Sequence, residues 1–435
     1  MRLYDLLKEY EYSDYYGFHM PGHKRNQAIT EADLPYGIDI TEIEGFDDLH
    51  HAEGIIKEAQ ERAARLYQAE ETHFLVNGST VGILSAILGA TSRGDKVLVA
   101  RNCHKSVYHA LELNELRPVY IYPSFDAATG LNGAVAVEQM EEVLQRESDV
   151  KAVILVSPTY DGVISDIKGI AELVHRRGIP LIVDEAHGAH LGFHPYFPEN
   201  SNVCKADIVI HSVHKTLPSL TQTALLHMNG EIVNREKVRK YLHMLQSSSP
   251  SYVLMASIDA CMDFLEKKGE AAFAIYVERL QKFRERLSDL KHLKLVEALY
   301  YDKSKVIISV QDANISSREL TQAILERYHL QPAMTAGNYV LFMTSVSDTE
   351  EGFDRLCKAL YEIDSDLETK KDAYIWKEMP RPAKEGEGRV AFDYIYLYPP
   401  GCPIVCPGEV MTEEIQTYLK MYKAIGFTVV GEDDE

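Results

Sequence analysis

The feature that most constrains the fold is a repeated alternation between residues 72 and 228. Short runs rich in Val, Ile and Leu alternate there with segments whose apolar residues recur at helical spacing. The runs are HFLV, KVLVA, PVYIY, KAVILV, PLIVD, DIVIH and QTALLH. Near-continuous apolar strands separated by helices are typical of parallel sheets covered on both faces, so the pattern predicts an α/β fold. We expect a mostly parallel, doubly wound sheet flanked by helices.

The sequence predicts three regions: an N-terminal arm, a large domain that contains the alternating segments, and a smaller C-terminal domain. Residues 1–60 are rich in Tyr, His, Gly and acidic residues without steady periodicity, which indicates an arm with one short helix. Residues 61–295 form the predicted large domain, which ends in long helices. Residues 296–435 predict a smaller α+β domain, because strand-like KVIISV and YVLFMTSV alternate with helical RELTQAILERY and FDRLCKALYEI.

Composition excludes several classes of protein. The 435 residues include 45 Lys and Arg against 66 Asp and Glu, a formal net charge of −21. Clustered basic side chains hold nucleic acids and anionic lipids, so we expect neither as a partner. The sequence has no apolar run of about 18 residues and no secretion signal at its start. Six cysteines are too few for a disulfide scaffold, and together these features favour a cytoplasmic protein.

Three polar clusters follow predicted strands. DIVIHSVHKT contains Lys215, PLIVDEAHGAH places Asp184 at a strand end with His187 beyond it, and residues 77–80, NGST, open a helical run. Ligands of open α/β sheets bind beyond the carboxyl ends of the strands, and a helix start binds anions. Pyridoxal phosphate (PLP) requires this ordered set: a lysine for its aldehyde, a carboxylate for its pyridine nitrogen and a helix start for its phosphate.

The sequence resembles the ornithine/lysine/arginine decarboxylases, PLP enzymes of fold type I, the aspartate-aminotransferase fold. Nine ordered motifs that span most of the chain carry the resemblance. They are FHMPGHK (18–24), DITEIEGFDDLHHAEGIIKEAQ (39–60), NGST (77–80), RNCHKS (101–106), PTYDG (158–162), DEAHGAH (184–190), SVHKTLPSLTQTALLH (212–227), SSSPSYVLMASID (247–259) and YPPGCPIVCPGE (398–409).

The resemblance implies a role for each candidate site residue. Lys215 is implied to be the Schiff-base lysine, Asp184 to hold the pyridinium and His104 to stack on the ring, with His187 near the ring and its substituents. The implied phosphate-side ligands are Gly78, Ser79, Thr80, Ser212 and His214. Ser249 and Ser251 are implied to reach the cofactor phosphate of a neighbouring subunit, which predicts a homodimer with a shared site. Either Lys215 or a histidine is expected to return a proton to Cα.

The expected reaction is decarboxylation of a basic L-amino acid. A cation far from Cα needs an acidic partner and aromatic walls, and Glu409 is the first candidate by resemblance, followed by Asp161 and Glu44. Each of the three is alternatively a solvated surface carboxylate. Longer members of the family carry an N-terminal flavodoxin-like wing, and this chain begins close to its PGHK segment. Short chains of this build resemble biosynthetic arginine decarboxylases, so arginine is favoured as substrate, giving agmatine in polyamine biosynthesis; lysine (to cadaverine) and ornithine (to putrescine) are the alternatives.

Other interpretations account for less of the sequence. DEAH (184–187) also spells a helicase motif, but the GxxxxGK[ST] loop of an NTPase is missing. The histidine pairs lack HExxH or cysteine-pair spacing, so we expect no metal. An aminotransferase, a cysteine desulfurase or a non-catalytic relative on the same fold remain alternatives. The intact set of Lys215, Asp184 and His104 favours catalysis, because a scaffold has no physical use for it.

Overall fold

A computed structural model describes residues 1–30, 32–370, 378, 380–382, 388–398, 401–424 and 428–431. In these ranges the helices α1 to α12 are Leu3–Glu11, Ile55–Tyr67, Gly78–Ala90, Lys105–Leu113, Val137–Arg146, Ile167–His175, Val213–Thr216, Arg235–Leu245, Tyr252–Leu287, Ser317–Tyr328, Glu350–Ser365 and Glu413–Ala424. The strands β1 to β18 are Glu71–Leu75, Lys96–Ala100, Arg117–Ile121, Phe125–Asp126, Leu131–Asn132, Val150–Val156, Leu181–Asp184, Ile208–His211, Ala224–Met228, Lys294–Val296, Lys305–Ser309, Met334–Ala336, Tyr339–Met343, Arg389–Val390, Ile395–Tyr398, Cys402–Val405, Val410–Met411 and Thr428–Val430. No helix within the described ranges is both long and apolar enough to cross a membrane.

The centre of the fold is a seven-stranded sheet in the order β1-β9-β8-β7-β6-β2-β3. Strands β3, β2, β6, β7 and β8 run parallel, whereas β9 is antiparallel to both of its neighbours. All residues of β7 and β8 are buried, which explains why their sequences are continuously apolar rather than alternating. The predicted mostly parallel sheet is confirmed.

Helix α3 lies close to this sheet and to α8 because it has glycine at its tightest contacts. A Cβ on Gly82 would lie 2.6 Å from Leu75 Cδ1, and one on Gly89 would lie 2.5 Å from Val238 Cγ2. Close-packed interiors have no room for such overlaps, so larger residues would push the helix away. The tight packing fixes the first turn of α3 at the carboxyl end of the sheet.

Helix α9 is a single helix of 36 residues, where the sequence predicted long helices. Its first part packs on the N-terminal arm, where the Leu3 N–H donates to Asp259 Oδ2 at 2.8 Å and Arg62 pairs with the same carboxylate. Its second part packs on the C-terminal region, where the Tyr276 hydroxyl is 2.8 Å from Thr344 Oγ1. The helix therefore joins the arm, the large sheet and the second sheet in one body.

The C-terminal region contains two units where the sequence predicted one α+β domain. The first is the antiparallel sheet β10-β11-β13-β12 with α10 and α11. The second contains β14 to β18 and α12 around a small core that includes Ile404, Val405, Ile415 and Leu419. The α+β character of the C-terminal region agrees with the prediction. The domain boundaries 1–60, 61–295 and 296–435 stay a prediction. Residues 399 and 400 of the YPPG motif lie outside the described ranges.

Candidate active site

The predicted site residues meet at the carboxyl ends of the parallel strands. Asp184 is the last residue of β7, and Lys215 lies in α7 directly after β8. His104 follows β2 as the N-cap of α4, and Ser79 lies in the first turn of α3. These four side chains and that of His187 line one cavity. The position is the one where open α/β sheets bind ligands, because every strand-to-helix loop opens to this edge.

The half-buried Lys215 and the buried His187 form a pair. Lys215 Nζ lies 2.9 Å from His187 Nε2. Burial lowers the pKa of Lys215, while the nearby Asp184 carboxylate opposes the shift. Burial and the charge of Lys215 hold the pKa of His187 well below its ordinary value, so the ring is neutral. The Tyr160 ring packs against His187 with centroids 4.7 Å apart. Burial therefore favours the neutral form of both side chains.

Asp184 is an under-coordinated buried carboxylate. Only 3% of the residue is exposed, and its Oδ1 accepts the Ala186 N–H at 3.1 Å. Burial raises the pKa of Asp184, and Lys215 together with the Ala186 N–H opposes the rise. A buried carboxylate with so few partners is costly unless a ligand brings it a proton or a positive charge.

His104 is held as a neutral ring with a defined tautomer. The Ser106 N–H donates to His104 Nδ1 at 3.3 Å, so the proton of the neutral ring lies on Nε2. Burial, reinforced by Lys215 and Lys105, lowers the pKa of His104 to about 4. The ring therefore presents a neutral apolar face to the cavity near neutral pH.

The start of α3 and the loop after β8 form a hydroxyl-rich corner. Gly78 begins the helix at φ +76°, a conformation that favours glycine. The Ser212 hydroxyl donates to Ser79 Oγ at 2.9 Å. His214 donates from Nδ1 to the Thr223 carbonyl at 2.8 Å, which leaves its Nε2 free to accept. The first N–H groups of a helix have no partner within the helix, so this corner suits an anion.

Four predicted site residues lie outside this arrangement in a single chain. Thr80 is exposed on α3, and Ser249 and Glu44 are exposed in loops. Ser251 is the N-cap of α9, where its hydroxyl accepts the Leu254 N–H at 3.3 Å. Their roles toward a cofactor phosphate or a substrate stay predictions.

Asp161 lies at the junction of two cavities. It lines the cavity of Lys215 and a neighbouring one whose walls include aromatic side chains. The Tyr339 hydroxyl donates to Asp161 Oδ1 at 2.5 Å. Burial raises the pKa of Asp161, and this hydrogen bond opposes the rise. The aromatic residues of the neighbouring cavity are Tyr122, Phe125, Tyr339, Tyr418 and Tyr422.

Glu409, the first predicted substrate ligand, is committed to structural contacts. It is 6% exposed, and its Oε2 accepts from Arg101 Nη2 at 3.0 Å and from the Cys406 N–H at 2.8 Å. Arg101 also donates to the carbonyls of Pro403 and Ile404 at 2.8 and 3.0 Å. The pair therefore joins the C-terminal unit to the end of β2, and the role of Glu409 toward substrate stays a prediction.

Breaking this pair is expected to destabilise the protein. The Arg101→Gln variant should lose about 3–5 kcal/mol of unfolding free energy, because Glu409 is left buried without its cation. Denaturant unfolding of wild type and variant measures the difference. The matched control is Arg93→Gln, which breaks an exposed pair with Glu115 and should leave the Tm unchanged. Equal stability of wild type and Arg101→Gln would contradict the assignment.

Several side chains of the site cavity were not predicted, among them Asn102, Asn132 and Cys402. These three line the cavity together with Asp161. Asn102 and Cys402 lie within the quoted RNCHKS and YPPGCPIVCPGE motifs, and Cys402 Sγ donates to the Asn102 carbonyl at 3.0 Å. Asn132 is in the two-residue strand β5, and no local sequence pattern distinguishes it from the other asparagines of the chain.

Comparison with known proteins agrees with this geometry. The chain matches the Orn/Lys/Arg decarboxylase major domain over residues 2–312 and the Orn/Lys/Arg decarboxylase C-terminal domain over residues 379–431. The arginine decarboxylase of Bacillus anthracis is 31% identical over 99% of this chain and 95% of that protein. The arginine decarboxylase of Halalkalibacterium halodurans is 33% identical over 96% and 92%. The structure of the constitutive lysine decarboxylase of E. coli aligns with a TM-score of 0.80 at 21% identity, covering 99% of this chain and 79% of that one.

The fold and the site cavity define a type I PLP enzyme. The chain belongs to the ornithine/lysine/arginine decarboxylase family, as the sequence motifs predicted. It is therefore an amino-acid decarboxylase.

Proposed function

We propose that this chain binds PLP through Lys215 and decarboxylates arginine to agmatine and CO2. The observation that carries the proposal is the convergence of Lys215, Asp184, His104 and His187 on one cavity at the carboxyl edge of the sheet. Perturbed titratable groups that meet in one cavity are typical of active sites.

The residues present fit PLP by their unmet hydrogen-bonding capacity. His187 Nδ1 is buried with no hydrogen-bond partner among the described residues, and Asp184 has the Ala186 N–H as its hydrogen-bond donor. In this proposal Lys215 holds the aldehyde and Asp184 the protonated ring nitrogen, while His104 covers the ring. The phosphate lies at the start of α3, near Ser79, Ser212 and His214. When bound, PLP supplies an electron sink for the pair released as the Cα–carboxylate bond breaks.

The chain's own residues prepare that reaction by their charges and burial. Asp184 is buried, so its negative charge acts at low dielectric and is worth more than it would be in water. The hydrogen-bonded pair of Lys215 and His187 can hold or accept a proton at Nζ or Nε2. The described residues that line the cavity include no arginine. A substrate carboxylate there is desolvated without a guanidinium partner, which favours its loss and argues against transamination.

The choice of arginine rests on the relatives and on the second cavity. Relatives named arginine decarboxylase match nearly the full chain at 30–33% identity. Asp161 supplies a carboxylate at the mouth of an aromatic cavity, which suits a cation far from Cα. Because Glu409 is committed to Arg101, we propose Asp161 as the partner of that cation.

The test supplies arginine, lysine and ornithine together and identifies the amine products. We expect wild type to form agmatine. We expect Asp161→Asn to raise the KM for arginine on the order of 10²-fold, because removing one partner of a buried charge pair costs 2–5 kcal/mol. Cofactor absorbance should not change in that variant. Cadaverine or putrescine as the main product would overturn the choice of arginine, and no CO2 release at all would overturn the decarboxylase proposal. An unchanged KM in Asp161→Asn would exclude the proposed cation partner.

The proposal includes a homodimer with a shared site in the cytoplasm. The arm exposes large apolar side chains, with 79% of Tyr12, 70% of Tyr16 and 90% of Phe18 exposed. Such a cluster is costly in water and is typical of a surface covered by a partner. The exposed Ser249 then has a neighbouring subunit to reach. All six cysteines are free, which suits a reducing compartment.

A further inference from the structure

A second group of buried charges lies next to the pair of Lys215 and His187. Lys305, the first residue of β11, and Asp302 are both 0% exposed. Lys305 Nζ is 3.3 Å from Asp302 Oδ2 and 3.5 Å from Ser304 Oγ. A buried lysine costs free energy that an apolar residue of similar size would not, so packing alone does not account for it.

Asp302 fixes this lysine against the loops of the active site. Its Oδ1 lies 3.0 Å from Nε2 of His190, which follows His187 by three residues in the loop after β7. The Ser304 hydroxyl donates to Oδ2 at 2.8 Å. The Asp302 N–H donates to the Gly162 carbonyl at 2.8 Å, next to Asp161. Residues 302–305 of the C-terminal region are therefore held against the two loops that carry His187 and Asp161.

Residues 301–305 pack closely on Gly162, which has no room for a side chain. A Cβ on Gly162 would lie 2.8 Å from Lys305 Cγ and 3.0 Å from Tyr301 Cε2. The Tyr301 hydroxyl donates to the Lys305 carbonyl at 2.6 Å. The aliphatic stem of Lys305 thus packs closely on the loop that carries Asp161, and Asp302 and Ser304 contact its ammonium group.

The charges around Lys215 indicate a role for Lys305 in the site. The titratable groups that face Lys215 are Asp184, His187, His104, His214 and Lys305. Burial lowers the pKa of Lys215, and Lys305 adds to the decrease. Burial, Lys215, Lys305 and His104 lower the pKa of His187, and Asp302 opposes the decrease. Burial would raise the pKa of Asp302, but His190 and Lys305 hold it well below its ordinary value, so this carboxylate stays ionised.

We propose that Lys305, held in place by Asp302, is a positioning residue that supplies a fixed positive charge beside Lys215 and His187 and so limits the protons this pair carries. A neutral amine at Lys215 is the form that can bond a cofactor aldehyde, and a neutral His187 accepts a hydrogen bond from it. The inference rests on the proposed function, because a deprotonated Lys215 has a use only if it bonds a cofactor.

The test is a pH titration of the visible absorbance of the purified holoenzyme. In Lys305→Met and Lys305→Gln the midpoint of the spectral transition should move to a pH about one unit or more higher, because a like charge near the titrating nitrogen is lost. Lys305→Gln keeps a donor for Asp302, so it remains informative if Lys305→Met does not fold. Lys305→Arg keeps the charge and should restore the wild-type midpoint. Midpoints that stay in place or fall in both neutral variants would overturn the proposal.

A structural control separates charge from packing. Tyr276→Phe removes the hydroxyl that lies 2.8 Å from Thr344 Oγ1, and Thr344 donates to the Ser304 carbonyl at 2.7 Å. This variant loosens the same segment without changing a charge, so it should lower the Tm and leave the midpoint in place. An equal midpoint shift in Tyr276→Phe would show that Lys305 acts through packing rather than through its charge, which would overturn the proposal. A wild-type protein with no visible band would instead contradict the proposed function.

Discussion

The Lys215→Ala variant is expected to lose the visible absorbance of bound PLP and to fall more than about 10³-fold in kcat. Of the described residues that line the site cavity, Lys215 is the only lysine. Burial lowers the pKa of Lys215, which favours the neutral amine that can bond an aldehyde. Absorbance spectra of the reconstituted variant and CO2 release with arginine measure the two losses.

A lysine elsewhere on the domain serves as the control for this change. Lys168 is exposed on α6, away from the site cavity. Lys168→Ala should keep the colour, the turnover and the Tm of wild type. A coloured and active Lys215→Ala protein would refute the assignment of Lys215.

Asp184→Asn should lower kcat on the order of 10²–10³-fold while reducing cofactor affinity much less. Asparagine has the shape of aspartate and can still accept the Ala186 N–H, but it carries no charge to keep a ring nitrogen protonated. The effect is large because Asp184 is buried and acts at low dielectric. Turnover under saturating PLP, together with a PLP titration, separates the loss of chemistry from a loss of binding.

A matched control contacts the opposite end of β7, the strand that ends at Asp184. Asp207 is 2% exposed and accepts the Leu181 N–H, at the start of β7, at 2.7 Å and His175 Nε2 at 2.8 Å. Asp207→Asn removes a buried carboxylate from the same sheet, so it should lower the Tm without lowering kcat. Turnover near wild type in Asp184→Asn would exclude the pyridinium role.

The sequence predicts those parts of the site that depend on local order along the chain. Asp184, His187 and Lys215 each follow a buried strand within a few residues, so the parallel sheet brings them to one edge. The same logic placed Ser79 after β1. The nine motifs added His104, which no periodicity distinguishes from other histidines.

Contacts between distant segments could not be predicted in this way. Asp302 meets His190 across 112 residues, and Arg101 meets Glu409 across 308. Neither pair has a sequence pattern, because each depends on how the units pack against one another. For the same reason the resemblance named Glu409 as a substrate ligand without showing the ion pair that it forms with Arg101. The reversed direction of β9 likewise depends on its neighbours, since its apolar run resembles those of the parallel strands.

The strand Cys402–Val405 has a consequence for the order in which the enzyme is completed during synthesis. It supplies Cys402 to the cavity wall, and its Pro403 and Ile404 carbonyls accept hydrogen bonds from the buried Arg101. Chains are made from the N-terminus and their units fold as they emerge, so the large sheet can form before this strand has been translated. Until then Arg101 has neither its carbonyl partners nor Glu409. A nascent chain therefore completes its cavity wall only when its last unit docks, and a product shortened before residue 402 would lack Cys402 in that wall and would leave Arg101 without Glu409.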